Sequence, residues 1–184
     1  MLDKSIQKKL SSQKFLPIIN TSNLKKDITR LEKLISKYKN VECVEITLRN
    51  EDSFDIAVEI KKKFPNLLFG LGTVLDKNNY IKGSKEEFSF FVSPGIIEEL
   101  LDLNPKNYIP AGETISDFLY LKKKGYEIVK FFPASLIGGD KKLISIQNII
   151  KGLKFIPTGG IDNNNISSYL NLENVLCVGM SKFD

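Results

Sequence analysis

The chain has 184 residues, 42% hydrophobic and 27% charged, which suits one domain with a sizeable core and includes no apolar stretch long enough for a membrane helix. Its net charge of +5 is scattered over lysines, with Arg30 and Arg49 the only arginines, so no nucleic-acid-binding face is expected, whereas an anionic substrate is favoured. Histidine is absent, which removes the commonest general base and the commonest metal ligand, and Cys43 and Cys177 read as reduced core residues of a cytoplasmic protein.

From the N-terminus, residues 1–14 are polar and lysine-rich without a signal-peptide core, and a helix is predicted over 2–12. Apolar, β-branched or aromatic runs follow at 15–20, 41–49, 67–74, 88–95, 107–114, 128–135, 154–161 and 175–182. Helical periodicity lies between them at 24–39, with Ile28, Leu31, Leu34, Ile35 and Tyr38 on one stripe, and at 53–64, 96–103, 115–124, 141–150 and 163–170. Strands alternating with helices imply a parallel sheet with right-handed crossovers, and eight strands are the count of a closed (β/α)8 TIM barrel. One barrel domain over 1–184 is expected, with the extra N-terminal helix covering its bottom and the helix after the eighth strand missing.

Active sites of such barrels form at the C-terminal strand ends, and many of these runs end in small or polar residues such as Gly72-Thr73, Ser93-Pro94-Gly95 and Pro133-Ala134-Ser135. In the second run Val44, Ile46 and Leu48 alternate with Glu45, Thr47 and Arg49. An antiparallel strand with one wet face has the same pattern. In a barrel the apolar triplet must instead pack outward on helices, which places an acid, a hydroxyl and an arginine in the interior, costly unless they are paired or functional. Lys130, inside Ile128-Val129-Lys130-Phe131-Phe132-Pro133, is the other anomalous charge. A lysine in a dry pocket can attack a carbonyl, yet many lysines with apolar neighbours snorkel to water. Alternation does not decide which face of this run is inner. Should Lys130 point inward it shares the interior with Glu45 and Arg49, either as a structural ion pair or as nucleophile, proton carrier and anion anchor. Pro157-Thr158-Gly159-Gly160 and Gly179-Met180-Ser181 occupy the loops where barrels often bind phosphate through backbone N–H groups, although turns need glycine too.

Taken in order, Val44-Glu45-Ile46-Thr47-Leu48-Arg49, Gly72-Thr73-Val74, Val92-Ser93-Pro94-Gly95, Lys130-Phe131-Phe132-Pro133-Ala134 and Pro157-Thr158-Gly159-Gly160-Ile161 resemble the motifs of the 2-keto-3-deoxy-6-phosphogluconate (KDPG) aldolases. That family is also known for 4-hydroxy-2-oxoglutarate (KHG) aldolase activity. The resemblance implies a (β/α)8 barrel, a homotrimer, and Schiff-base aldol chemistry with no metal or cofactor. It implies that Lys130 points inward as the Schiff-base lysine and that Glu45 is the general acid/base. By the same resemblance Arg49 and Thr73 hold the pyruvyl carboxylate, Pro94 and Phe132 line that pocket, and Thr158, Gly159, Gly160 and Ser181 serve the sugar-hydroxyl and phosphate side.

The chain departs from the family pattern in places. Met180 stands where glycine is common, so a side chain could crowd the phosphate. Ala111-Gly112-Glu113-Thr114 brings in an extra acid, and Ser135 replaces a common glutamate. The expected activity is cleavage of KDPG, a phosphorylated 2-keto acid, to pyruvate and glyceraldehyde 3-phosphate. The alternatives are KHG cleavage to pyruvate and glyoxylate, or a non-catalytic degenerate barrel that binds an acidic metabolite.

Overall fold

Every strand pairing in the computed structural model, which describes residues 1–183, is parallel. Helix α1 (Lys4–Gln13) precedes β1 (Phe15–Asn20), α2 (Leu24–Lys37), β2 (Cys43–Thr47), α3 (Ser53–Lys63) and β3 (Leu68–Gly72). Next come α4 (Lys77–Lys85), β4 (Phe90–Val92), α5 (Glu98–Leu103), β5 (Tyr108–Ile109), β6 (Ala111–Gly112) and α6 (Ile115–Lys123). The chain continues with β7 (Ile128–Phe131), a 3-10 turn (Ala134–Ile137), α7 (Gly139–Ile146), β8 (Lys154–Pro157), α8 (Ile166–Leu170) and β9 (Val178–Met180).

The fold is α/β with a curled parallel sheet. Its strands form two hydrogen-bonded groups, β5-β4-β3-β2-β1-β9 and β6-β7-β8, rather than the single eight-stranded sheet expected. Pro110 explains the first break: it divides the run expected at 107–114 into β5 and β6, because proline has no N–H for the ladder. Its carbonyl still accepts from the Lys130 N–H at 2.9 Å. Between the β8 region and residues 175–179, pairing shrinks to two isolated parallel bridges, Phe155 with Val175 and Thr158 with Gly179 of β9. Helix α4 was not among the expected elements. Its sequence, KNNYIKGSK, carries no apolar stripe and buries only Gly83, so its start is set by the Asp76 cap, which accepts from the Asn79 N–H at 2.8 Å.

Alternation along the strands builds two cores. Phe15, Ile19, Val44, Ile46, Phe69, Leu71, Val129, Phe131 and Phe155 face outward into the layer shared with the helices. Leu16, Cys43, Phe90, Ile109, Ile128, Ile156 and Cys177 fill the inside near the N-terminal strand ends, where Leu2, Ile6 and Leu10 of the N-terminal segment join them. Helix α1 thus plugs this end, as its position in the sequence suggests. The Gln13 side chain secures the plug: its amide donates to the carbonyls of Phe15 and Cys43 and its oxygen accepts from the N–H groups of Glu42 and Cys43. Burial here pushes the Cys43 thiol up to about 12. Among the described residues no helix is long and apolar enough to cross a membrane.

Candidate active site

Since Val129 and Phe131 face outward, Lys130 faces in, and the interior above the plug is where the charges gather. Lys130 and Glu45 are only 6% and 1% exposed, and Lys130 Nζ lies 3.5 Å from Glu45 Oε1. That oxygen is buried and has no hydrogen-bond partner, a condition that costs stability unless something else meets it. The Lys130 amine also lies 5.1 Å from the centre of the Phe132 ring.

Both side chains line a cavity of about 460 Å³, counting its open mouth. Arg49, Phe132, Thr158, Gly159, Gly160 and Ser181 line it as well. Eight of the ten residues expected from the sequence therefore share one cavity. The other two lie outside it. Pro94 lines an adjoining groove with Glu113 and Pro133, separated from the cavity by Phe132, which lines both. Thr73 is half-buried in the loop after β3, in a left-handed conformation with φ 59°. Thr47, expected in the interior, and Gly179, of an expected phosphate loop, line the cavity too, as do Ile18, Asn20 and Ile161, to which sequence reasoning gave no role. For Asn20 the signal was available, since it is the one polar residue that ends the apolar run 15–20. Its side-chain oxygen accepts from the Thr47 hydroxyl at 3.1 Å.

Loop contacts hold the rim. Thr21 and Ser53 hydroxyls meet at 2.7 Å, and Asn50 donates from its N–H to Ser53 Oγ and from its side chain to the Thr21 carbonyl, which anchors the segment carrying Arg49. Ser93, fully buried, donates to the Val74 carbonyl at 2.6 Å and accepts from the Tyr108 hydroxyl at 2.7 Å, tying down the loop after β3. On the opposite side the carbonyls of Thr158, Gly159 and Gly160 are taken by the Ala134 N–H, the Ser135 N–H and hydroxyl, and the Asn165 side chain. Gly159 and Gly160 turn at φ 98° and 73°, which L side chains resist. Ser135 is thus part of this loop's support, and the Ser181 carbonyl is held by Arg30 of α2. Met180 does not crowd the cavity: it is 2% exposed and packs in the outer layer, while its neighbours Gly179 and Ser181 line the interior. Alternation along β9 thus turns its side chain away from the cavity.

A buried lysine facing an unsatisfied carboxylate at the C-terminal ends of a parallel sheet is suited to amine-nucleophile catalysis on a carbonyl compound. The sequence model of the KDPG and KHG aldolase family matches residues 6–184, and the chain belongs to that family. The KHG/KDPG aldolase of Escherichia coli (strain K12) is 33% identical over 175 residues, 94% of this chain and 81% of that protein. The KDPG aldolase of Legionella pneumophila, solved with pyruvate captured as a covalent carbinolamine, superposes with a TM-score of 0.86 at 30% identity, over 95% of this chain and 85% of that one. The Zymomonas mobilis ZM4 enzyme, solved with 3-phosphoglycerate, gives 0.87 at 26% identity, over 97% and 86%.

Proposed function

We propose that this protein cleaves KDPG to pyruvate and glyceraldehyde 3-phosphate through a Schiff base on Lys130. The observation that carries the reading is the buried Lys130 amine 3.5 Å from a Glu45 oxygen with no hydrogen bond, in a cavity with Arg49 at one side and the Thr158–Gly160 loop at the other. In this reading the neutral amine attacks the C2 ketone and Glu45 supplies the protons that let water leave. The iminium then draws electrons as the C4 hydroxyl loses its proton and the C3–C4 bond breaks, releasing the aldehyde. Protonation of the enamine at C3 and hydrolysis free pyruvate and restore Lys130.

Arg49 holds the carboxylate, while Thr158 and the Gly159, Gly160 and Ser181 backbone receive the hydroxyl and phosphate end. In this reading Thr73, in the loop after β3, and Pro94, in the groove beyond Phe132, complete the pyruvyl side. The relatives' names, KHG/KDPG and 2-dehydro-3-deoxy-phosphogluconate aldolase, support a phosphorylated keto acid as substrate. The outward direction of Met180 supports it too, since no side chain crowds the phosphate end.

The same reading includes one domain whose two strand groups close into a (β/α)8 barrel through Pro110 and the β8–β9 bridges. It also includes a homotrimer, for which exposed Leu136, Ile144 and Ile149 offer apolar surface, and a reducing cytoplasm, which suits two free buried cysteines. Incubation with pyruvate and borohydride followed by peptide mass analysis tests the chemistry. One reduced pyruvyl adduct is expected on Lys130 and none in Lys130→Met; a wild-type protein without the adduct ends the proposal.

A further inference from the structure

Strand β3 contributes no side chain to the upper interior. Its inward positions above Leu68 are Gly70 and Gly72, between the outward Phe69 and Leu71. Neither glycine has the positive φ that would explain it by backbone conformation. Each is instead filled from a neighbouring strand: a Cβ on Gly70 would lie 2.1 Å from the Phe90 ring, and one on Gly72 would lie 2.1 Å from Glu45 Oε1, 2.7 Å from its carboxyl carbon and 2.9 Å from its Cγ. The lower slot is core. The upper slot holds the carboxylate that faces Lys130.

We propose that Gly72 is a positioning residue for Glu45: its missing side chain is the space in which the carboxylate lies against Lys130. This rests on the reading of Glu45 as the proton-moving group. Ordinary carbon contacts begin near 3.4 Å, so an alanine at 72 must displace three atoms of Glu45, the nearest by more than 1 Å. Glu45 is 1% exposed, and the free space beside it is the cavity itself, so a displaced carboxylate leaves its place against Lys130. Displacements of that size at a reacting group cost on the order of 100-fold in rate.

Deuterium exchange into the pyruvate methyl group, followed by NMR in heavy water, reads the proton transfer without needing the full substrate. In Gly72→Ala the maximal exchange rate is expected to fall about 100-fold while the KM for pyruvate stays within about twofold. Glu45→Asp shortens the displaced side chain by one CH2. It should slow exchange in the wild-type background but restore it at least tenfold in Gly72→Ala, a reversal that general destabilisation does not produce. If Gly72→Ala does not fold, recovery of a cooperative urea transition in the double variant supports the proposal, and a double variant that stays unfolded overturns it. Wild-type exchange by a folded Gly72→Ala, with Glu45→Gln inactive, overturns the role of Gly72 alone. Wild-type exchange by Glu45→Gln overturns the reading of Glu45 and this inference with it.

Discussion

The buried Lys130–Glu45 pair, 3.5 Å apart, is poorly accounted for by stability alone. Removing both from water costs several kcal/mol per ion, and the unmade hydrogen bond at Glu45 Oε1 leaves part of that uncompensated. Neutral replacements of similar volume are often equal or better, by about 1–4 kcal/mol. The double variant Lys130→Met with Glu45→Gln is therefore expected to match or exceed the wild-type midpoint in urea while releasing no pyruvate. A structural ion pair, the rival reading of these residues, predicts retained turnover. Lys130→Met alone should be the less stable protein, because it strands the carboxylate. The two directions are not equally readable from sequence: Glu45 alternates against a clean apolar triplet, whereas Lys130 has apolar neighbours on both faces, so alternation leaves it open and only the family resemblance turns it inward.

At the scale of elements, caps decide where helices begin on the rim. Helix α6 opens with a capping box in which Thr114 accepts from the Asp117 N–H and Asp117 accepts from the N–H groups of Glu113 and Thr114. Partial burial works to raise the Asp117 carboxyl, but those hydrogen bonds and Lys142 outweigh it and hold it below its usual value. A depressed carboxyl stabilises the fold above its unfolded pKa, near 4, and the contribution is lost as the pH falls through the lower native value. Asp117→Ala is thus expected to cost about 1 kcal/mol in urea unfolding at pH 7 and progressively less as acid protonates the wild-type side chain. A cost unchanged down to acid pH would place the effect elsewhere. Helix α6 is legible in the sequence because cap and stripe agree. Helix α4 is not, for it packs through one glycine and one tyrosine, Gly83 and Tyr80, and the split at Pro110 is hidden inside a run that is apolar on both sides. Gly72 is the least legible of all: its meaning depends on a side chain from another strand.

Across the whole molecule, stability and chemistry sit at opposite ends of the strands. The plug formed by Leu2, Ile6 and Leu10 fills the N-terminal end with Cys43, Ile128 and Cys177 around it, while Glu45, Lys130 and Arg49 stand above toward the C-terminal ends. The boundary falls within single strands: on β2 Cys43 belongs to the plug and Glu45 to the cavity, and on β7 Ile128 and Lys130 divide in the same way. Such a division separates the consequences of mutation. Leu10 is fully buried, so Leu10→Ala should open a cavity and cost about 2–5 kcal/mol in urea or thermal unfolding. Its side chain lies in the other cluster from the lining of the site, so the fraction that remains folded should release pyruvate with the wild-type kcat and KM at 25 °C. A matching fall in kcat for the folded fraction would mean that the plug also sets the carboxylate–amine geometry. The strands between Leu10 and Lys130 would then have to transmit its loss, which the shared strand β7 makes a specific alternative: Ile128 would shift first, and Lys130, two residues on, would move with it.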